Sequence, residues 1–242
     1  MKRIAFLLWL ILSGCVTQQG KLAWRVKDMV LAQTPVLDLQ DARQRIVMTV
    51  RTRTIQEMML AHLRISAAAN VQAELFIVDG DEPNAFAGRS KGQRIIGVNV
   101  GMVKLIGDEV NEYAALLGHE TAHWAKGHVD AGETRTNTLS AIGTLVSVGL
   151  GLAGVPAGGL ISGLGVDLID SSFSRDQERE ADAQSVEYLL ATQYDPQAAI
   201  KLQEKMLKNA SGLRLPFLAG HPSGQERIDN LRALIEAKTS PR

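Results

Sequence analysis

His119-Glu120-Thr121-Ala122-His123 is the stretch from which this chain is read. On a helix, residues four apart share one face, about one turn from each other. Two imidazoles so placed can grip one metal ion, and the glutamate after the first can reach a water beside it. The flanks support a helix. Asp108 follows Gly107 and suits an N-cap, while Val110, Ala114, Leu117 and Ala122 keep an apolar side, and the next proline is Pro156. The expected helix runs from about Asp108 to about Val129. His128 falls off the ligand face and reads as a helix-end residue or a support behind the ligands. Trp124 reads as packing.

A hydrolytic site of this kind needs a third protein ligand and one position left for water. Ser174-Arg175-Asp176-Gln177-Glu178-Arg179-Glu180-Ala181-Asp182 opens a second helical run. Glu178 and Asp182 are again four apart. One carboxylate can bind the metal while the other, a turn on, holds a ligating imidazole. Glu180 points elsewhere on that helix. Two imidazoles and a carboxylate suit zinc, one ion per chain.

Together His119-Glu120-x-x-His123 and Ser174-Arg175-x-x-Glu178-x-x-Ala181-Asp182 resemble the gluzincin zinc metallopeptidases of the HtpX and CAAX prenyl protease family, with their BepA- and LoiP-like bacterial periplasmic lipoprotein proteases. Asn84-Ala85-Phe86-Ala87 resembles the segment ahead of the family's active-site strand. His221-Pro222, followed by Arg227-Ile228, resembles its C-terminal His-Pro segment. The resemblance runs from about Leu75 to Ala233. It implies an α+β, mainly helical, zincin-like catalytic domain with a small β-sheet whose edge strand lines the active-site cleft. It also implies that His119, His123 and Glu178 hold zinc, that Glu120 is the base, and that Asp182 orients a ligand imidazole. The strand Arg94 to Val100 is expected at the exposed sheet edge. There Ile96, Gly97 and Val98, with Asn84, Ala85 and Phe86, would take peptide as an added strand. His221 is expected near the cleft in one of three roles: donating to the tetrahedral oxyanion, occupying the water position and holding the enzyme latent, or serving as a loop histidine fixed by Pro222.

The 242 residues suffice for one domain with a real core, and 26 basic against 26 acidic side chains leave no net charge to suggest nucleic acid. Cys15 is the single cysteine, so no disulfide closes within the chain. Lys2 and Arg3, the short apolar run Ile4 to Leu12, and Leu12-Ser13-Gly14-Cys15 resemble a bacterial lipoprotein signal, cleaved before Cys15 and lipidated on its thiol. The apolar run is too short to span a bilayer. The expected organisation is signal peptide over 1–14, lipidated tether over 15–35, and one zinc metallopeptidase domain over 36–242. By resemblance to enteric-type lipoprotein sorting, Val16 after the cysteine implies the outer membrane, with the domain facing the periplasm.

Along the domain, Val36 to about Asn70 reads as helical from the spacing of Val36, Leu37, Leu39, Ile46, Val47, Val50, Met58 and Leu63. His62 reads as structural or surface rather than a ligand. Ala73 to Asp79 reads as a strand, and Met102 to Ile106 as a short turn or helix. The glycine-rich Leu139 to Ile169, without charge until Asp167 and with Pro156 at its middle, reads as two close-packed helices that cover the cleft or rest on a membrane surface, rather than as a membrane crossing. Pro196 to about Asn209 reads as a helix with Ala199, Leu202, Met206 and Leu207 inward, Leu213 to Gly220 as a loop, and the stretch after Gly224 as a last amphipathic helix.

Two functions follow. The first is a membrane-anchored metalloendopeptidase that hydrolyses unfolded or misassembled envelope proteins. The second is a zinc-braced, non-catalytic or latent lipoprotein acting as a chaperone beside the outer-membrane assembly machinery. An intact Glu120 favours the first, since a structural zinc has no use for a base.

Overall fold

The computed structural model describes residues 22–41, 43–90, 92–132, 134, 166–167, 173–209, 221 and 224–240. Its axis is helix α4 (Val110–Ala125), buried continuously from Glu112 to Trp124. A helix enclosed all round is normally apolar, because a buried polar group is costly without a partner. This one carries His119, Glu120, Thr121 and His123 into the interior. Around it pack α2 (Thr52–Ala69), α5 (Arg175–Ala191) and α6 (Gln197–Asn209), while α7 (Gln225–Thr239) lies against α5 and α6. On α2, Ile55, Met58, Ala61 and Ile65 recur at helical spacing and are fully buried, and the helix ends where Asn70 turns left-handed at φ 50°.

A five-stranded sheet closes the other side, in the order β1 (Ala23–Arg25), β4 (Glu74–Val78), β6 (Gln93–Asn99), β5 (Ala85–Ser90), β7 (Val166–Asp167). β4 is buried on both faces. Leu75 and Ile77 join the main core, and Phe76 and Val78 join a small cluster with Ile95 and Phe86. A short helix α3 (Val100–Ile106), capped by the Asn99 side chain, leads from β6 toward α4.

Several expectations are corrected. Val36 to Arg51 is not helical. It forms an antiparallel hairpin of β2 (Val36–Gln40) and β3 (Ile46–Arg51), turned at Gln44 with φ 59°. Ile46, Val47, Thr49 and Val50 are β-branched and pack better on a pleated surface. Leu39 and Val50 bury beneath the hairpin, and Val36 and Ile46 stay exposed. The second half of the expected tether is part of the domain. Ala23 pairs with Val78, Asp79 donates its N–H to the Leu22 carbonyl at 2.8 Å, and Val26 in α1 (Val26–Met29) is fully buried. Asp108 does not cap α4; it bonds the Thr54 hydroxyl and pairs with Arg51 at 2.8 Å, leaving Glu109 at the N-cap. Leu207 is 37% exposed while Ala199, Leu202 and Met206 are buried. Cys15 and its leader, the loop 213–220, Pro222, and the 139–169 stretch apart from β7 lie outside the described residues. Among the described residues, no helix is long and apolar enough to cross a membrane.

His62, on α2, is 3% exposed and bonds the Ala73 carbonyl through Nε2 at 2.8 Å. Burial holds its imidazole below the ordinary value of 6.5. As pH falls through 6.5, the unfolded chain takes up a proton that the folded chain resists, so His62 costs stability on the acid side. We therefore expect the stability gap between wild type and His62→Gln to narrow on going from about pH 7.5 to about pH 5.5, around the histidine pKa. Urea unfolding of the metal-free proteins at both values checks this; a constant gap refutes it.

Candidate metal centre

Three elements converge on one point. α4 brings His119, Glu120 and His123. α5 brings Glu178 and Asp182, and begins with a reciprocal capping box between Ser174 and Gln177 that anchors the turn bearing Glu178. The segment before α7 brings His221, and α7 itself brings Arg227. The close approach of α4 and α5 depends on Gly118, next to the first histidine. A Cβ there would lie 2.7 Å from the Ser185 hydroxyl, which bonds the Ala115 carbonyl.

The ring nitrogens face one another. His119 Nε2 lies 3.1 Å from both His123 Nε2 and His221 Nδ1. Glu178 Oε1 is 2.9 Å from His221 Nδ1 and 3.3 Å from His123 Nε2, and Oε2 is 3.4 Å from His119 Nε2. All four side chains are buried, and one ligand atom from each lies within 4.8 Å of the others. Zinc ligands at about 2.0 Å in a tetrahedron sit about 3.3 Å from one another. Three imidazoles and a carboxylate with this convergence therefore fit zinc.

Behind the ligands is a buried ion network. Arg227 grips Asp182 with two hydrogen bonds, Nε to Oδ2 at 2.6 Å and Nη2 to Oδ1 at 2.7 Å, and pairs through Nη1 with Glu178 Oε2 at 2.7 Å. Asp182 Oδ1 also lies 3.1 Å from His119 Nδ1, which leaves Nε2 of that ring to face the centre. Burial and Arg227 press the His119 imidazole toward neutrality, but Glu178 and Asp182 outweigh them and raise it to about 9. Burial holds His123 well below its ordinary value. Burial alone would raise both carboxyls; the charge on His119 and the surrounding imidazole contacts hold Glu178 far below the usual range, and Arg227 lowers Asp182.

Glu120 is fully buried, and neither of its carboxylate oxygens has a hydrogen-bond partner among the described residues. His221 Nε2 lies 3.5 Å from Glu120 Oε1. Phe173 stacks on the His123 ring with centroids 3.6 Å apart.

The structure thus brings His119, Glu120, His123, Glu178, Asp182 and His221 together. It does not put Ile96, Gly97 and Val98 at an edge. β6 is interior, paired with β4 on one side and β5 on the other. Because β4 and β6 run parallel, the intervening β5 folds back outside them. The open edge belongs to β5, where β7 pairs only with Arg89 and Ser90 and no described strand covers Ala85 to Gly88. Ala85 and Phe86 lie on β5, which contacts α4, and Asn84 precedes it, its carbonyl accepting from the Asn99 N–H at 3.0 Å. Sequence reading missed the packing role of Arg227 and the contact between His128 and Glu180, which was expected to point elsewhere. Gly127, left-handed at φ 70°, was the available signal that α4 stops short of Val129.

Comparison with known proteins agrees with this geometry. The family model for Peptidase family M48 matches residues 49–235. Metalloprotease LoiP of Escherichia coli is 30% identical over 154 residues, covering 64% of this chain and 59% of that protein. The Beta-barrel assembly-enhancing protease of Escherichia coli is 29% identical over 170 residues, 65% of this chain and 33% of its own length. The Mitochondrial metalloendopeptidase OMA1 of Schizosaccharomyces pombe is 31% identical over 168 residues, 69% of this chain and 48% of its own length. The chain therefore matches between 33% and 59% of these relatives' lengths.

Proposed function

The chain belongs to peptidase family M48, and on that footing we propose that it is a zinc metalloendopeptidase of the bacterial cell envelope. It is anchored through lipid on Cys15 at the outer membrane, faces the periplasm, and hydrolyses unfolded or misassembled envelope polypeptides. The observation that carries this reading is a fully buried Glu120 carboxylate that makes no hydrogen bond among the described residues, beside a donor set of His119, His123 and Glu178. A purely structural zinc would leave that carboxylate as an uncompensated cost.

His119, His123 and Glu178 would hold the zinc, which when bound would supply Lewis acidity toward a water and the scissile carbonyl. Glu120 takes the proton from the attacking water and passes it to the leaving amine. Asp182 and Arg227 fix the His119 ring. An extended substrate lies along β5 at Ala85 to Gly88, held by main-chain hydrogen bonds that carry little sequence preference. That suits unfolded chains as a class. The name of the Beta-barrel assembly-enhancing protease suggests outer-membrane assembly machinery as a further partner.

His221 is the fourth member of the donor cluster, so it would compete with a water for the position that a hydrolytic zinc site leaves open. This favours the latent reading: the histidine holds the site closed until substrate displaces it. The test follows cleavage of an unfolded protein by the chain from Val16 onward, with and without His221→Ala, before and after zinc removal. We expect zinc-dependent cleavage that rises several-fold in the variant. Reduced cleavage assigns His221 to the oxyanion instead, and unchanged cleavage leaves it a loop histidine. If neither protein cleaves while each holds one zinc, the peptidase reading fails and the zinc-braced chaperone replaces it.

A further inference from the structure

Each imidazole facing the centre with Nε2 must carry its proton on Nδ1, and that proton needs an acceptor. For His119 the acceptor is Asp182, at 3.1 Å. For His123 it is not a carboxylate. His123 Nδ1 lies 3.0 Å from His128 Nδ1, and His128 Nε2 lies 3.1 Å from Glu180 Oε2. Both rings are buried, while the Glu180 side chain is 61% exposed.

The backbone sets up this contact. α4 ends at Ala125, the chain turns at Lys126 and Gly127, and residues 128–132 are helical again. On an unbroken helix, a residue five positions on would point away from His123. The turn brings His128 back over it, with the ring centroids 5.2 Å apart. Phe173 packs against both rings and leaves His123 Nδ1 no other described partner.

We infer that Glu180, His128 and His123 form a one-way hydrogen-bond relay that positions His123 for zinc. Glu180 accepts from His128 Nε2–H. That fixes the His128 lone pair on Nδ1, where it accepts from His123 Nδ1–H and leaves His123 Nε2 free for the metal. His128 and Glu180 are positioning residues; neither touches substrate. The two ligand histidines are thereby held differently, one by a buried carboxylate and one by a neutral ring backed by a carboxylate at the surface.

The inference rests on His123 being a zinc ligand, so the wild-type protein must first bind one zinc per chain; if it binds none, the metal-centre reading fails before the relay is tested. Zinc affinity is then measured by competition with a chromophoric chelator for wild type, His128→Phe, His128→Asn and Glu180→Ala, with melting of each metal-free protein as the fold control. Loss of a partner that orients a ligand histidine typically costs about 10–100-fold in metal affinity. We expect His128→Phe, which keeps a ring but no acceptor, to weaken zinc binding within that range. His128→Asn places an oxygen where Nδ1 was and restores most of the loss. Glu180→Ala, at the exposed end, weakens binding by a smaller factor without shifting the melting temperature. The relay is overturned if the asparagine variant loses as much affinity as the phenylalanine variant, or if either Glu180→Ala or His128→Phe binds zinc like wild type. Should His128→Phe fail to fold, the asparagine and Glu180 variants still decide: wild-type affinity in Glu180→Ala refutes the relay, and weakened affinity with unchanged melting supports it.

Discussion

Glu120→Gln is expected to lower peptide hydrolysis by about 100- to 10,000-fold, the contribution of a positioned general base, while one zinc stays bound per chain. Glutamine has nearly the same shape as glutamate, so the packing of a fully buried side chain is kept. Glu120 is not among the converging donors, and its oxygens have no hydrogen bonds among the described residues for the substitution to break. The amide cannot take up a proton from water, so turnover falls and binding does not. Zinc content, melting temperature and cleavage of an unfolded protein are measured on the same preparation. A variant that cleaves within a few-fold of wild type removes Glu120 from the mechanism. A variant that loses its zinc shows instead that Glu120 holds the site together.

The second large effect concerns Arg227. Its side chain is 7% exposed and its guanidinium pairs with both Glu178 and Asp182, which also face the His119 ring. Replacing it with methionine keeps much of the volume but leaves two buried carboxylates with only histidine protons to balance them. Removing one partner of a buried ion pair costs about 3–5 kcal/mol, and this arginine serves two carboxylates. We expect Arg227→Met to lower metal-free stability by about that amount in urea unfolding. Arg227→Lys rescues it poorly, because an ammonium cannot reproduce the two parallel bonds to Asp182. In a double-mutant cycle, Arg227→Met with Asp182→Asn should be less destabilised than the sum of the single variants, since the second change removes a stranded charge. Additive effects, or a single-variant cost below about 1 kcal/mol, the level of an exposed pair, show that the network contributes little.

The contrast between β3 and α4 separates what the chain reveals locally from what it does not. The helical reading of Val36 to Arg51 relied on apolar spacing, which a short run satisfies by chance in either period. The β-branched content of Ile46 to Val50 was the better guide, and the hairpin followed it. The sequence did carry the strand at Glu74 to Val78, the helix at His119 and the paired carboxylates at Glu178 and Asp182. It could not show which strand neighbours which. β6 reads as an edge strand as readily as an interior one, and only its parallel pairing with β4 moves the open edge to β5.

By itself, then, the sequence picked out the residues of the candidate metal centre and the side of the helix each occupies, because the repeat that sets those positions belongs to the backbone and acts over one turn. Tertiary structure alone decided that Arg227 locks Asp182 and Glu178, that His221 joins the cluster of converging donors, that His128 swings back over His123, and that β6 lies inside the sheet between β4 and β5. Those outcomes depend on contacts between segments far apart along the chain. In a buried site such contacts are chosen by which charges and polar groups can satisfy one another once water is excluded.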